Sequence, residues 1–443
     1  MEIEVEGLVI RTYGRESFTC VLHNGESAME FASRDFIQPG ESVHAVCERA
    51  EHGRTAWVAR KVERVPDIYP KVEALLRASV KLKESALLGG RAEPMKDDIG
   101  TVARKIMAAS ALGRFILVRF HGDADGISSA LTLKKFLKAG YAQQNSAIYS
   151  VGDAIRDLER MGQQFKPLII LLDFGSGDDS AEGLGLARAG GIELVAIDHH
   201  PPGSAQNGLF SAWANPWKSG IEDGSDYPAG YLCAALAHML GSESAGLERT
   251  ACAGDKSPVL ELSKEDRESA LVLDFAATYS GGGSGTELFS ELLSNRQLFD
   301  SVLHQAKTKM EELDRTLSKA VKTRTAGGVQ ICTVNLDGVA EKREFPTKGK
   351  IVSRVLELHT DEGPLLVLGF ARKGLIFRLN GAAASRGIRG DEIVRRMKSS
   401  FPDFVENGGG HARAAALKIS EGFENAAVDE VVKMIGGWND KGA

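Results

Sequence analysis

Three apolar runs in this chain of 443 residues each end in acidic or histidine side chains. Phe115–Phe120 leads into His121-Gly122-Asp123-Ala124-Asp125-Gly126, Leu168–Leu172 into Asp173, and Ile192–Ile197 into Asp198-His199-His200. A short continuous apolar run is the signature of a buried parallel strand. Open α/β sheets carry their chemistry in the crevice beyond the carboxyl ends of such strands. Adjacent strands of this kind would gather the carboxylates of Asp123, Asp125, Asp173 and Asp198 with the imidazoles of His121, His199 and His200. Like charges so close repel strongly in a low dielectric, and divalent cations between them relieve that repulsion. The pattern predicts a two-metal catalytic centre, in which coordination lowers the pKa of bound water by many units and so generates a nucleophile near neutral pH.

The elements that must position these residues follow from periodicity and punctuation. From Phe115 onward strand and helix patterns alternate, and Ile127–Leu137 carries a helical apolar stripe that begins directly at the first motif, as in a βαβ unit of a doubly wound parallel sheet. Ahead of it, Ile3–Thr12, Phe18–Leu22, Ala28–Ala32, Ser42–Cys47 and Thr55–Val65 read as short strands, separated by turns at Gly14, Asn24-Gly25, Pro39-Gly40 and His52-Gly53. Five strands in so short a span predict a small closed barrel of the OB type. Such barrels hold single-stranded nucleic acid with aromatic and basic side chains; Phe18, Phe31, Trp57, Arg34 and Arg60 are the candidates, with core packing the alternative for the aromatics. Pro66 and Pro70 mark a linker, Lys71–Leu88 has helical character, and Ile99–Leu112 reads as a further helix. Gly281–Gly285 reads as a flexible loop. Leu298, Val302, Ala306, Met310, Leu313, Leu317 and Val321 then recur at helical spacing, with Gly327-Gly328 as the expected stop. Strands near Val329–Leu336, Leu365–Ala371 and Leu375–Leu379 and a helix near Asp391–Met397 complete the pattern. The expected architecture is α/β: an OB-like β-barrel at 1–66, a doubly wound parallel-sheet domain at 67–295, a connecting helix at 296–325 and a smaller α/β domain at 326–443.

Composition narrows the classes. An apolar fraction of 43% suits a globular protein with real cores, and no apolar run approaches the roughly 20 residues of a membrane span. The start, Met-Glu-Ile-Glu-Val-Glu, lacks the basic and apolar regions of a secretory leader, so a cytoplasmic, non-membrane protein is expected. Cys20, Cys47, Cys233, Cys252 and Cys332 are scattered without a Cys-Xaa-Xaa-Cys pair and are expected to be reduced packing residues. The net charge of −6 argues against unspecific nucleic-acid binding, yet residues 342–398 hold thirteen Lys/Arg against six Asp/Glu. That stretch could form an electrostatic footprint for phosphates.

Taken in order, the motifs resemble the DHH phosphoesterase superfamily. His-Xaa-Asp-Xaa-Asp-Gly at 121–126, the lone Asp173, Asp198-His199-His200 and Gly254-Asp255-Lys256 match its successive motifs. Gly408-Gly409-Gly410-His411-Ala412-Arg413-Ala414-Ala415-Ala416 resembles the glycine-histidine motif of the accessory (DHHA1) substrate-binding domain, with Ala416 where glycine is usual. The resemblance spans roughly residues 100 to 420. It implies that His121, Asp123 and Asp173 hold one metal and that Asp125, Asp173, His199 and Asp255 hold the second, with Asp173 bridging. Mn2+ is the first choice for both ions and Mg2+ the second, because mixed imidazole and carboxylate ligands are softer than the oxygen shell Mg2+ prefers.

By the same resemblance His200 contacts the scissile phosphate and His411 grips an adjacent phosphate, while Asp198 is expected to orient a neighbouring imidazole or hold the loop. Ser385, Arg386 and Arg389 fall where the accessory domain presents basic residues to a nucleic-acid backbone, and arginine's planar fork suits phosphate. Consecutive glycines at 408–410 are expected to let backbone amides converge on an anion. Asp266 and Asp274 rival Asp255 as the fourth-motif ligand. The spelling of the first and fourth motifs, together with the barrel, is most similar to archaeal RecJ-like nucleases. That branch implies a single-strand exonuclease acting on DNA, with RNA second, and releasing 5′-mononucleotides. The partners it implies are single-stranded nucleic acid and replication or repair proteins such as a GINS-like complex or a helicase. The alternatives are a phosphodiesterase for short oligonucleotides or cyclic dinucleotides, and a replication-fork scaffold related to inactive DHH proteins.

Overall fold

The computed structural model describes residues 1–15, 17–51, 55–204, 208–340, 344–359 and 363–438; the expected turn at His52-Gly53 lies outside the described residues. The chain forms two compact units. One comprises Met1–His121, Asp125–Leu262 and Gly282–Thr286, the other Gly122–Ala124, Ser263–Gly281 and Glu287–Ala443.

The first unit opens with β1 (Glu2–Gly14), β2 (Phe18–His23), β3 (Ala28–Ser33), β4 (Ser42–Arg49) and β5 (Trp57–Arg64), closed into a barrel in the order β1-β2-β3-β5-β4. The length of β1 lets it pair antiparallel with both β2 and β4, and Ala32 opposite Val58 joins β3 to β5. Closure removes the free edges that would otherwise invite aggregation. Period-two alternation turns Val9, Cys20, Leu22, Phe31, Val43, Ala45 and Cys47 inward. Phe31 is thus fully buried core, and Arg60 is paired with Glu48. Phe18 instead meets the half-exposed Phe36 edge-on, with ring centroids 5.3 Å apart. All five cysteines are buried free thiols.

The helix expected over Lys71–Leu88 is shorter: α1 spans Tyr69–Ser79, Val80 is extended, and a 3-10 turn follows at Ala86–Leu88. A tertiary contact overrides helix propensity here, because the Lys83 amide donates to the Met239 carbonyl at 2.8 Å. Together with α2 (Lys96–Ala111), α1 packs on Leu8 of the barrel through Tyr69, Val72, Leu76, Ala108 and Leu112.

Next come β6 (Ile116–His121), α3 (Ala124–Lys134), β7 (Gly140–Gln144), α4 (Val151–Met161), β8 (Leu168–Leu172), α5 (Ala181–Ala189), β9 (Glu193–Ile197), β10 (Ala212–Ala214), α6 (Ala229–Met239) and α7 (Leu247–Gly254). The five strands make an all-parallel sheet in the order β10-β9-β8-β6-β7. The chain moves outward from β6 to β7, then returns to lay β8 on the other side of β6. Ligands of open α/β sheets bind at such a reversal of strand order, and the carboxyl ends of β6, β8 and β9 flank it. The glycine-rich loop supports the sheet. Its Gly283 amide and Ser284 carbonyl each bond to Gln143 at 2.8 Å, which covers the outer edge of β7.

In the second unit, α8 (Lys264–Tyr279), α9 (Glu287–Ser294) and α10 (Arg296–Ala320) precede β11 (Lys322–Ala326), β12 (Val329–Asn335), α11 (Lys348–Leu358), β13 (Leu365–Ala371), β14 (Gly374–Leu379), α12 (Gly381–Ser385), α13 (Gly390–Ser400), β15 (Val405–His411), β16 (Ala414–Ile419) and α14 (Glu424–Gly436). The sheet order is β11-β12-β13-β14-β16-β15. Asn295 caps α10 by accepting the Leu298 amide, and the helix ends at Ala320, short of the expected 325. Lys322-Thr323-Arg324-Thr325 alternates charged and β-branched residues and forms β11 instead. Gly327 and Gly328, with φ of 55° and 71°, supply the positive angles of its two-residue hairpin turn. No described helix is long and apolar enough to cross a membrane.

Arg119, on the interior strand β6, forks onto Asp157 at 2.7 and 2.6 Å and donates to Gln144 Oε1 at 3.0 Å, while the Tyr149 hydroxyl donates to Asp157 at 2.7 Å. Arg119→Met strands a buried carboxylate, so urea unfolding should show a loss of about 3–5 kcal/mol.

Candidate metal centre

Asp173, immediately after β8, has a φ of +65°, a left-handed conformation that aspartate tolerates better than most residues. Its amide donates to the Ile197 carbonyl at 3.0 Å, tying the end of β8 to β9. That turn aims a buried carboxylate at three imidazoles. Oδ2 lies 3.3 Å from His121 Nδ1; Oδ1 lies 3.3 Å from His199 Nε2 and 3.8 Å from His200 Nδ1. Oδ1 is buried and accepts no well-formed hydrogen bond among the described residues, a costly arrangement for a charged oxygen unless a cation supplies the missing partner.

His199 is the hub of the cluster. Its Nδ1 donates to the Ser225 carbonyl at 3.1 Å, so in the neutral ring the lone pair is on Nε2. That nitrogen faces Asp255 Oδ2 at 3.2 Å, Asp173 Oδ1 at 3.3 Å and Asp125 Oδ2 at 3.8 Å. Burial pushes the imidazole pKa down, but Asp173, Asp255 and Asp125 outweigh it and raise the pKa well above its ordinary value. The surroundings therefore favour positive charge at Nε2. Two triads, Asp173–His199–His200 and Asp125–His199–Asp255, each bring their ligand atoms within 4.8 Å of one another, and both have the mixed donor set of a divalent-cation site.

The supporting geometry explains how the acids tolerate one another. Asp125, fully buried in the first turn of α3, accepts the amides of Ala229 at 2.8 Å and Gly230 at 2.6 Å, where the start of α6 offers partial positive charge. A Cβ on Gly230 would sit 2.5 Å from the Ala251 Cβ, and one on Gly126 would sit 2.3 Å from the His121 carbonyl oxygen. Asp198 is also fully buried and accepts the Ser176 amide at 3.0 Å, the His200 amide at 3.1 Å and His200 Nδ1 at 2.8 Å. Burial would raise its carboxyl pKa, but His200, His199 and the Ser176 amide hold it below the usual range.

Asp255 is the residue that caps the C-terminal end of α7. Its rivals are engaged elsewhere, Asp266 capping α8 with Ser263 and Asp274 accepting the Ala124 amide. Asp123 stands two residues beyond His121 on the motif loop, in the segment that belongs to the second unit. Sequence reasoning missed Asn215, whose Nδ2 donates to the His200 carbonyl at 2.9 Å, and Trp217, whose Nε1 donates to the His199 carbonyl at 2.9 Å. The available signal was that Asn215-Pro216-Trp217 ends a fourth, very short apolar run, Ala212-Trp213-Ala214.

Residues 115–240 match the model of the DHH family, N-terminal domain. The chain carries a DHH-family domain. An uncharacterized protein of Methanocaldococcus jannaschii is 24% identical over 462 residues, a match that covers 85% of this chain and 60% of that protein. The chain thus spans about 60% of the length of this curated relative. Among solved structures, a DHH domain from a member of the s1p family of ribosomal proteins superposes with a TM-score of 0.72 at 22% identity, covering 83% of this chain and 98% of its own. RecJ from Thermus thermophilus in complex with Mn2+ gives a TM-score of 0.49 at 16% identity, with coverages of 83% and 59%.

Beyond the DHH domain, the glycine-histidine tail differs from the expected anion loop. Gly408, Gly409 and Gly410 are strand residues of β15, paired opposite Leu417, Ala416 and Ala415 of β16. A Cβ on Gly408 would meet the Leu417 side chain at 2.6 Å, and one on Gly410 the Ala414 carbonyl oxygen at 2.3 Å. Close strand packing therefore accounts for Gly408 and Gly410, whereas a Cβ on Gly409 would meet open space, and His411 ends the strand with Nδ1 accepting the Arg413 amide at 3.4 Å. Ser385 closes α12, Arg386 donates to the Gly328 carbonyl at 3.2 Å, and Arg389 forks onto Asp391 at 3.1 and 2.8 Å. Much of the basic stretch is likewise paired: Lys348 with Asp337, Arg354 with Asp314, Arg372 with Glu421, and Arg395 and Arg396 with Glu392.

Thermal unfolding with and without Mn2+ tests the cluster as a cation site. At a concentration a hundredfold above the dissociation constant, wild type should gain about 2.7 kcal/mol. Asp173→Asn, which keeps the shape and removes the shared charge, should gain almost none.

Proposed function

We propose that this chain is a metal-dependent phosphodiesterase of the single-strand exonuclease type. It acts on DNA before RNA, releases 5′-mononucleotides and serves DNA repair or replication in the cytoplasm. The observation that carries the reading is the Nε2 of His199 facing the carboxylates of Asp125, Asp173 and Asp255 at the reversal point of a parallel sheet. His121, Asp123 and Asp173 hold one divalent cation. Asp125, Asp173, His199 and Asp255 hold the other. Mn2+ is preferred to Mg2+ on the softness of the imidazoles. When bound, the pair supplies Lewis acidity toward the phosphodiester and an acidified water.

The chain's own groups do the rest. Asp198 engages His200 at Nδ1, so that Nε2 of an imidazole whose side chain is 39% exposed is left to donate to a phosphoryl oxygen. The amides of Ala229 and Gly230 keep Asp125 oriented while its charge is shared with the cation. His411, Ser385, Arg386 and Arg389, with the backbone of Gly408, Gly409 and Gly410, grip the flanking phosphates. Arg386 and Arg389 release the Gly328 carbonyl and Asp391 to do so. Replication or repair proteins, a GINS-like complex or a helicase among them, are the partners of this reading.

Single-stranded DNA and RNA labelled at either end should be degraded to ladders with Mn2+ by wild type and not by Asp173→Ala. The end from which the ladder grows gives the polarity. Dinucleotides cleaved faster than long strands would contradict the exonuclease and favour an enzyme of short oligonucleotides.

A further inference from the structure

The residue between Asp123 and Asp125 is held from far away in sequence. The Ala124 amide donates at 2.9 Å to Oδ1 of Asp274, on α8, and Oδ2 of the same carboxylate accepts Lys350 Nζ, from α11. Ala124, Asp274 and Lys350 all belong to the second unit. Asp274 is only 6% exposed, so its charge requires both partners. Ala124 is the first residue of α3, and the opening amides of a helix have no partner within it. At α4 and α8 the chain solves this locally: Ser150 and Asp153 box the start of α4, and Ser263 and Asp266 the start of α8. At α3 the acceptor comes from 150 residues downstream.

We propose that Asp274 and Lys350 form a charge pair that sets the position of the metal-motif loop, which makes both of them positioning residues for the cation centre. The inference rests on the two-metal reading above. The residue just before α3 is Asp123, and an aspartate there ordinarily turns toward its own helix. A carboxylate bonded to the Ala124 amide holds the turn from outside, and with it the spacing between the two acids on either side. Lys350 acts differently. Burial and the Asp123 carboxylate both work against negative charge on Asp274, and the Lys350 ammonium offsets them.

Titration with Mn2+, read as free Mn2+ by electron paramagnetic resonance, tests this without relying on activity, and thermal unfolding of the metal-free variants controls for folding. Wild type is expected to bind two equivalents. Asp274→Ala should weaken one of them by roughly 10–100-fold and leave the other unchanged. Asp274→Asn keeps an acceptor for the Ala124 amide and should lose less. Lys350→Met should weaken the same equivalent, and Lys350→Arg should restore it. Wild-type binding in Asp274→Ala and Lys350→Met overturns the positioning role alone. So does a loss of both equivalents together that tracks lost thermal stability. A wild type that binds no Mn2+ overturns the two-metal reading and this inference with it.

Discussion

Negative charge confined beside one imidazole is the constraint on which the first unit depends. Asp125, Asp173 and Asp255 crowd His199 Nε2, and the fold brings a stabilising feature to each of the two that are buried, Asp125 and Asp173. The start of α6 points two amides at Asp125. A left-handed residue turns Asp173 under three rings. The Ser225 carbonyl selects the tautomer of His199. None of these devices serves packing as such. Buried acids kept together at the cost of a strained backbone and close-approach glycines are what a cation site requires.

Strand order explains why the cluster forms where it does. β6 is laid down first, β7 goes to one side and β8 to the other, so the ends of β6 and β8 part just where His121 and Asp173 emerge. β9 extends the same side and delivers Asp198, His199 and His200. The short β10 returns beside it, and the next residues, Asn215 and Trp217, bond the carbonyls of His200 and His199. The histidine pair is therefore clamped through its backbone carbonyls as well as by its acidic neighbours.

Much of this was legible in the sequence, because the signals were local. Apolar runs ending in Asp and His marked β6, β8 and β9, and five runs between Asn, Gly and Pro turns marked the barrel. Signals lay hidden where the deciding contact is distant. Nothing near Lys83 announces that Met239 will take its amide, nor anything near Ala124 that Asp274 will. The end of α10 was missed because Val321 continues the helical stripe, while the alternation that makes β11 begins one residue later. At the tail, glycines permit both a turn and tight strand packing, and only the pairing with β16 shows that Gly408, Gly409 and Gly410 lie in a strand. Arg60 and Arg389 looked available in sequence because charge composition does not show pairing with Glu48 or Asp391.

Anomalous diffraction from crystals soaked in Mn2+, recorded at the manganese edge, tests the central claim most directly. The account predicts two peaks roughly 3.5–4 Å apart, both in contact with Asp173 and one of them also with Asp125, His199 and Asp255. A crevice without peaks, or a single ion bound away from Asp173, would contradict it.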